Sequence, residues 1–532
     1  MRSMQRWTWV AGLGVLAAAA CLAAPAQYKQ VHRDMVTRLA GGQADRAIAE
    51  AQAYLEKNPD DLESPFILAV AYTQKGDLAT AMTFVKKAVE GGLPIDRFVA
   101  GPRDLLAPLV ESDAFKAFTK GFVSPLVHGP MVGSVTDSSA RFWVRTAGEA
   151  DVRIVCVAAR GQAGAPSEAK VGTGRTRKAD DYTAVVEVTG LAPFTTYHYD
   201  VSVDGRAMTS EPFAFRTFPK AGSPAKFNVV FGGGAGYTPQ HEHMWNTVGT
   251  VHPLALLMLG DNVYIDTPKV PATQQYCYYR RQSRLEWRNL VAATGVFAIY
   301  DDHDFFDNDC IPGPDIDKPP YKRDVWRLFT QNWANPSYGG GPEQPGCWYT
   351  FSIGNVDIFM MDCRFYRTLD SKPPTMLGPV EKRWLKAALA KSKGTFRVLA
   401  SSVPWAYGAK PGSKDPWQGY KEEREELFSF LAKEKIGGVV LISADRHRSD
   451  LWKIERPDGY ALYEFSSSRL TNIHTHPVMK ESLYGYNKTC SFGLLEFDTT
   501  AADPTVTYKI VSIDGEVMHT FTLKRSQLAD GS

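Results

Sequence analysis

The sequence predicts a multidomain chain, in which an α/β sandwich is preceded by a β-sandwich and a short helical repeat segment. Three observations predict it. At 532 residues the chain is too long for one ordinary domain. Its hydrophobic period changes twice, from helical to strand-like near residue 123 and then to alternating strands and helices after a Pro/Gly/Ser linker at 219–224. In this last part, short apolar runs end repeatedly in clusters of carboxylates and histidines, the place where open α/β sheets bind ligands.

Residues 1–26 read as a signal peptide. Arg2 and Arg6 precede a small, apolar run, and Ala24-Pro25-Ala26 offers a cleavage site. The run is shorter than the ~20 residues of a membrane span, so none remains after cleavage. Cys21 offers a lipoprotein alternative, but the Leu usual three places earlier is missing. Export predicts a periplasmic or extracellular protein. A net charge of +2 gives no nucleic-acid-binding signature. The six cysteines beyond the leader contain no C-x-x-C, and Cys310 and Cys347, in Gly/Pro-rich loops, are the best pair for a bridge.

Residues 27–122 read as helical. Gly42 and Gly76 are 34 apart, and so are Ala47 and Ala81, and Ala51 and Val85. That period is tetratricopeptide-like. Such a segment predicts either a protein-partner platform or a cap on the rest of the chain.

Residues 123–218 turn β-rich. The stretch Leu191-Ala192-Pro193-Phe194-Thr195-Thr196-Tyr197-His198-Tyr199 resembles the corner of fibronectin type III domains, where a tyrosine bonds back to the backbone. From 219 to 532, strand-like runs at 254–259, 296–300, 356–361, 396–400 and 438–443 alternate with helical patterns at 282–291, 378–390 and 420–433. After Asp445 the chain is β-rich to its end, as if a second sheet completes a sandwich.

Three strand ends carry the chemistry. Gly260-Asp261-Asn262-Val263-Tyr264 supplies a carboxylate, an amide and a phenol. Asp can bridge two cations, and a phenolate suits ferric iron. Tyr300-Asp301-Asp302-His303-Asp304 places three carboxylates together, which repel unless cations or hydrogen bonds neutralise them. The histidine among them is suited to proton transfer. Ser443-Ala444-Asp445-Arg446-His447 adds an i, i+2 ligand pair and an arginine for an anion.

These segments, with Met361-Asp362-Cys363-Arg364 and Asp415-Pro416-Trp417-Gln418-Gly419-Tyr420, occur in an order that resembles the alkaline phosphatase D (PhoD)-like branch of the calcineurin-like metallophosphoesterases. The resemblance implies a two-sheet sandwich with a di- or trinuclear centre, and a metal-dependent hydrolase of phosphate mono- or diesters in which a water on the metal attacks phosphorus. It implies Asp261, Tyr264, Asp302, Asp445 and His447 as metal ligands, with Fe and Ca as the metals and Mn or Zn as alternatives. It implies His303 and Arg446 as catalytic, and Arg364 and Asn262 as substrate-binding. Gly234 joins them because backbone N–H groups can approach a phosphate where no Cβ intervenes.

Two departures stand out. The cysteine usual after the first catalytic strand is replaced by Gly232-Gly233-Gly234, with His241 and His243 following, and Ser401-Ser402-Val403 lacks a histidine. A degenerate domain that binds phosphorylated ligands or partner proteins is the alternative function. Trp405, Tyr407, Trp417 and Tyr420 are candidates for lining a pocket or for the core.

Overall fold

The computed structural model describes residues 27–121, 124–161 and 168–529. The expected signal peptide, with Cys21, lies outside the described residues.

Seven helices come first: α1 (Tyr28–Ala40), α2 (Ala44–Lys57), α3 (Glu63–Gln74), α4 (Leu78–Glu90), α5 (Asp96–Ala100), α6 (Arg103–Val110) and α7 (Asp113–Thr119). Gly42 and Gly76 follow α1 and α3 with φ of 74° and 77°, so the 34-residue spacing marks two left-handed helix exits that favour glycine. The helices are docked on the rest of the chain. The buried Glu63 carboxylate on α3 pairs with Arg97 (2.8 Å) and accepts from the Tyr276 hydroxyl (2.6 Å).

Eight strands follow: β1 (Leu126–Gly133), β2 (Ser139–Thr146), β3 (Asp151–Ala158), β4 (Lys170–Arg175), β5 (Thr183–Thr189), β6 (Thr196–Val203), β7 (Arg206–Ala207) and β8 (Phe213–Arg216). The Tyr197 hydroxyl accepts from the Ala192 N–H at 2.8 Å, a bond across the corner. The region is not a free-standing sandwich. β3, β4, β6, β7 and β8 form their own sheet, but β1, β2 and β5 continue the large sheet of the next region, through parallel pairing of β1 with β11 (Gly295–Ile299). Gly133 permits this junction, since a Cβ there would lie 2.6 Å from the Ala334 carbonyl oxygen.

The remaining strands are β9 (Lys226–Gly232), β10 (Ala255–Leu259), β12 (Tyr349–Ile353), β13 (Val356–Met360), β14 (Phe396–Ala400), β15 (Val439–Ser443), β16 (Ser449–Ile454), β17 (Leu462–Ser467), β18 (Tyr484–Tyr486), β19 (Ser491–Asp498), β20 (Thr505–Ser512) and β21 (Val517–Lys524). A nine-stranded sheet runs β21-β20-β19-β9-β10-β11-β1-β2-β5, and a seven-stranded sheet runs β12-β13-β14-β15-β17-β16-β18. Of the β-rich stretch after Asp445, β16, β17 and β18 therefore complete the second sheet as expected, while β19, β20 and β21 extend the first beside β9, which corrects the sequence expectation for the last three strands. β10 and β15 are buried at every position, which explains why they read as unbroken apolar runs.

β9, β10 and β11 are mutually parallel, and so are β13, β14 and β15. Leu259 pairs with Ile299, so the segments beginning at Gly260 and Tyr300 leave the sheet side by side. The six described cysteines are all free, Cys310 and Cys347 included, so the expected bridge is absent.

Candidate metal centre

Asp261, Tyr264, Asp445 and His447 all have left-handed backbones, with φ of 54°, 55°, 67° and 46°. Such conformations cost non-glycine residues of order 1–3 kcal/mol each and gather at functional sites. Here they turn the two strand ends toward each other. The Tyr264 hydroxyl donates to Asp261 Oδ2 (2.8 Å), accepts from Asn472 Nδ2 (2.7 Å) and lies 2.9 Å from His447 Nε2. His447 Nε2 is 3.6 Å from Asp261 Oδ2.

Asp302 and His303 complete a group. Asp261, Asp302 and His303 each offer a ligand atom, all within 4.8 Å of one another. Buried polar atoms of these segments without a hydrogen-bond partner include Asp261 Oδ1, Asn262 Oδ1, Asp301 Oδ2 and His447 Nδ1, together with Asp445 Oδ2, which Lys410 Nζ approaches only to 3.4 Å and Arg446 Nη1 to 3.7 Å. Buried polar groups are normally satisfied, so unpaired ligand-type atoms beside clustered carboxylates fit a cation. The donor set of carboxylate, phenol and imidazole suits hard and borderline metals. Asp261, Tyr264, Asp302 and His447 are thus brought to one place, with Asp302 partly spent on backbone N–H groups of His303 (2.9 Å) and Asp309 (2.6 Å), whereas Asp445 faces Lys410 (3.4 Å) and Arg446 (3.7 Å).

His303 stacks on Tyr264 with ring centroids 4.8 Å apart, and its Nδ1 lies 2.5 Å from Asp266 Oδ1. Burial pulls the imidazole down, but Asp302, Asp261 and Asp266 outweigh it and raise it to about 10. Neutralising Asp261 and Asp302 would draw it back. Burial also pushes the Tyr264 phenol well above its usual range, with Asp261 adding to the effect.

Other expected residues are committed elsewhere. Arg364 is buried behind the site. Its Nε reaches Asp301 (2.5 Å), its Nη1 reaches Asp415 (2.6 Å), and Nη2 is 3.7 Å from Asp302. Its guanidinium is thus committed to three carboxylates at the strand ends. Asn262 Nδ2 donates to the Ile299 carbonyl and to Asp304 Oδ2, both at 2.9 Å, so its amide ties β10 to β11. The Gly234 N–H donates to the Gly260 carbonyl (3.3 Å), and its neighbours' N–H groups go to Ser467 (3.0 Å) and Asp261 (2.9 Å) carbonyls. The glycine serves close approach instead: a Cβ on Gly234 would lie 1.9 Å from the Ser468 carbonyl oxygen. Arg446 Nε donates to the Ala409 carbonyl (3.1 Å), and its Nη1 stays 3.7 Å from Asp445 Oδ2, at the site.

His241 and His243 do not replace the missing cysteine. His241 Nδ1 lies 3.1 Å from the Thr471 carbonyl, His243 is exposed, and neither belongs to a metal-competent cluster among the described residues. Asp302, Asp309 and Asp415 also cluster, but cations already face them: Lys410 lies 2.7 Å from Asp309 and 3.0 Å from Asp415, and Arg364 lies 3.7 Å from Asp302 and 2.6 Å from Asp415. Trp405 and Trp417 stack with centroids 4.4 Å apart and are fully buried, as is Tyr420, so they are core.

Sequence reasoning missed two contributors. Lys29 on α1 places its ammonium 3.5 Å from the Tyr264 ring centroid. Burial lowers it to about 8, opposed by Asp261 and Asp266. Arg33, one turn on, donates to the Tyr264 carbonyl (3.2 Å) and pairs with Asp266. The i, i+4 basic pair on α1 was the available signal, but nothing local pointed it at residues so far along the chain.

Residues 228–528 match the PhoD-like phosphatase family, and residues 123–221 match a domain of unknown function, DUF7800. Alkaline phosphatase D of Bacillus subtilis (strain 168) is 30% identical over 120 residues, which cover 19% of this chain and 21% of that protein. The match thus spans about a fifth of that relative's length. The solved structure of PhoD superposes with a TM-score of 0.63 at 16% identity, covering 76% of this chain and 91% of that one. Purple acid phosphatase PPD1 from yellow lupin (Lupinus luteus) seeds gives 0.55 at 12% identity, covering 75% of each chain. At these identities the two structures speak for the fold. With the family match spanning more than half of the chain, and the ligand-type side chains gathered where the strands end, the chain belongs to the PhoD-like phosphatase family.

Proposed function

We propose that the protein is an exported, metal-dependent phosphoesterase that hydrolyses phosphate mono- or diesters. The convergence of Asp261, Tyr264 and His447 on left-handed backbones, with unpaired buried ligand atoms, carries this reading. Asp261, Tyr264, Asp302, Asp445 and His447 would hold the metals, with iron at the phenol and calcium at the carboxylates as the favoured pair. Bound cations supply Lewis-acid stabilisation of phosphoryl charge and acidify water.

The chain's own residues do the rest. Lys29, buried over the Tyr264 ring, and Arg446, beside Asp445, would bring positive charge to the phosphate oxygens. Asp266 holds His303 through Nδ1, which leaves Nε2 as the atom to protonate the leaving alkoxide. Arg33 fixes Asp266 from the other side, so α1 orients the acid as well as the cation. The N-terminal helices thereby serve as a cap on the site, and a protein partner bound to them would act on it directly. The name of the curated relative, alkaline phosphatase D, agrees with this chemistry.

The test is hydrolysis of p-nitrophenyl phosphate and bis-p-nitrophenyl phosphate by metal-analysed protein. Turnover of either ester, lost in Asp261→Asn, supports the proposal. No bound metal and no turnover with Ca²⁺, Mn²⁺ and Fe supplied overturns it in favour of a binding role.

A further inference from the structure

Three imidazoles meet beside the candidate centre, and only one of them belongs to the ligand set above. His447, His474 and His476 each offer a nitrogen, all within 4.8 Å of one another. We infer that this trio is a separate site for a divalent transition metal of the zinc type, at the mouth of the centre.

The spacing supports a metal. His474 Nε2 and His476 Nε2 face each other at 3.3 Å. Ligand nitrogens about 2.0–2.1 Å from a tetrahedral ion lie about 3.3–3.4 Å apart. His447 turns Nε2 toward Tyr264 and Asp261, while its Nδ1 is buried and unpartnered. The His447 ring centroid lies 5.0 Å from that of His474 and 5.7 Å from that of His476, and its unpartnered Nδ1 is the nitrogen left over for them.

The loop that carries the other two is held in place. Arg469 donates to the carbonyls of Asn472 (3.1 Å), Ile473 (3.1 Å) and Asn487 (2.7 Å). The His474 N–H donates to Asn472 Oδ1 (3.1 Å), the Thr475 hydroxyl to the His447 carbonyl (3.1 Å), and Asn487 Nδ2 to the His476 carbonyl (2.9 Å). These bonds fix the loop backbone from which the two imidazoles project. An all-imidazole set selects zinc, copper or nickel over calcium or magnesium. His474 is exposed, which gives the ion an entry path and leaves a fourth position open to solvent.

The inference stands without any catalytic activity, so its test uses binding alone. Full-length protein is stripped with chelator and titrated separately with Zn²⁺ and Co²⁺. Wild type is expected to bind about one zinc per chain more than the His474→Ala/His476→Ala variant, and its Co²⁺ form to show tetrahedral visible absorption that the variant lacks. Equal stoichiometry with matching Co²⁺ spectra overturns the inference, as does extra binding only at millimolar zinc. If the double variant melts early by circular dichroism, His476→Gln is titrated in its place. The same two readouts then decide the matter.

Discussion

The Lys29 ammonium lies 3.5 Å from the centroid of the Tyr264 ring, so the first helix of the described chain is part of the site formed by the last domain. A charge-assisted hydrogen bond contributes about 1.5–3 kcal/mol, or roughly 10- to 150-fold. Lys29→Met keeps most of the stem and removes the charge. KM for p-nitrophenyl phosphate is expected to rise by about 10-fold or more, with a smaller change in kcat and no change in the thermal melt. An unchanged KM removes Lys29 from substrate binding.

Tyr264 makes three polar contacts through one oxygen, to Asp261, Asn472 and His447. Tyr264→Phe keeps the ring on Lys29 and His303 and deletes only that oxygen. Metal affinity is expected to fall at least as far as for an outer-shell ligand partner, about 10- to 100-fold. Metal content by elemental analysis, together with the visible band of an iron–phenolate, checks it. Retention of both in the variant excludes the phenol as a ligand.

The strand ends were legible in the sequence because parallel strands buried on both faces, such as β10 and β15, read as apolar runs that stop at ligand-type side chains. Asp261, Tyr264, Asp302, Asp445 and His447 stand out as candidate ligands in this way. Arg364 reads in sequence as a phosphate grip because an arginine buried among Asp301, Asp302 and Asp415 has the same local signature. Lys29, Arg33 and the proposed metal-site pair His474 and His476 were missed for another reason. Their role depends on a contact across the chain, and no hydrophobic period encodes where α1 or the loop after β17 comes to rest.

That distinction makes Arg364 testable. Removing one partner from a buried ion-pair network costs about 3–5 kcal/mol, because the remaining charges stay buried without compensation. Arg364→Met is expected to lower unfolding stability in urea by about that much. A direct phosphate ligand would instead leave stability nearly intact and raise KM. The two measurements on one variant separate these roles.

Asp61 provides a pH-dependent handle on the docking of α1. It accepts from the Tyr28 hydroxyl (2.5 Å) and the Ser64 N–H (2.7 Å), and lies 2.9 Å from His32 Nε2. Burial pushes its carboxyl up, but the His32, Ser64 and Tyr28 bonds outweigh burial and hold it below the usual carboxylate range. A carboxylate depressed in the folded state contributes stability that is fully present above its unfolded value of about 4 and lost as pH falls through the folded value. Asp61→Asn should therefore cost about 1.5–3 kcal/mol at neutral pH, and the gap from wild type should narrow steadily below about pH 4. Tyr28 adjoins Lys29, so loosening this end of α1 should also raise KM at neutral pH in the way Lys29→Met does. Urea midpoints across pH, paired with KM at pH 7, test both parts. A stability gap that stays constant into acid would show that the Asp61 contacts act by shape and not by charge.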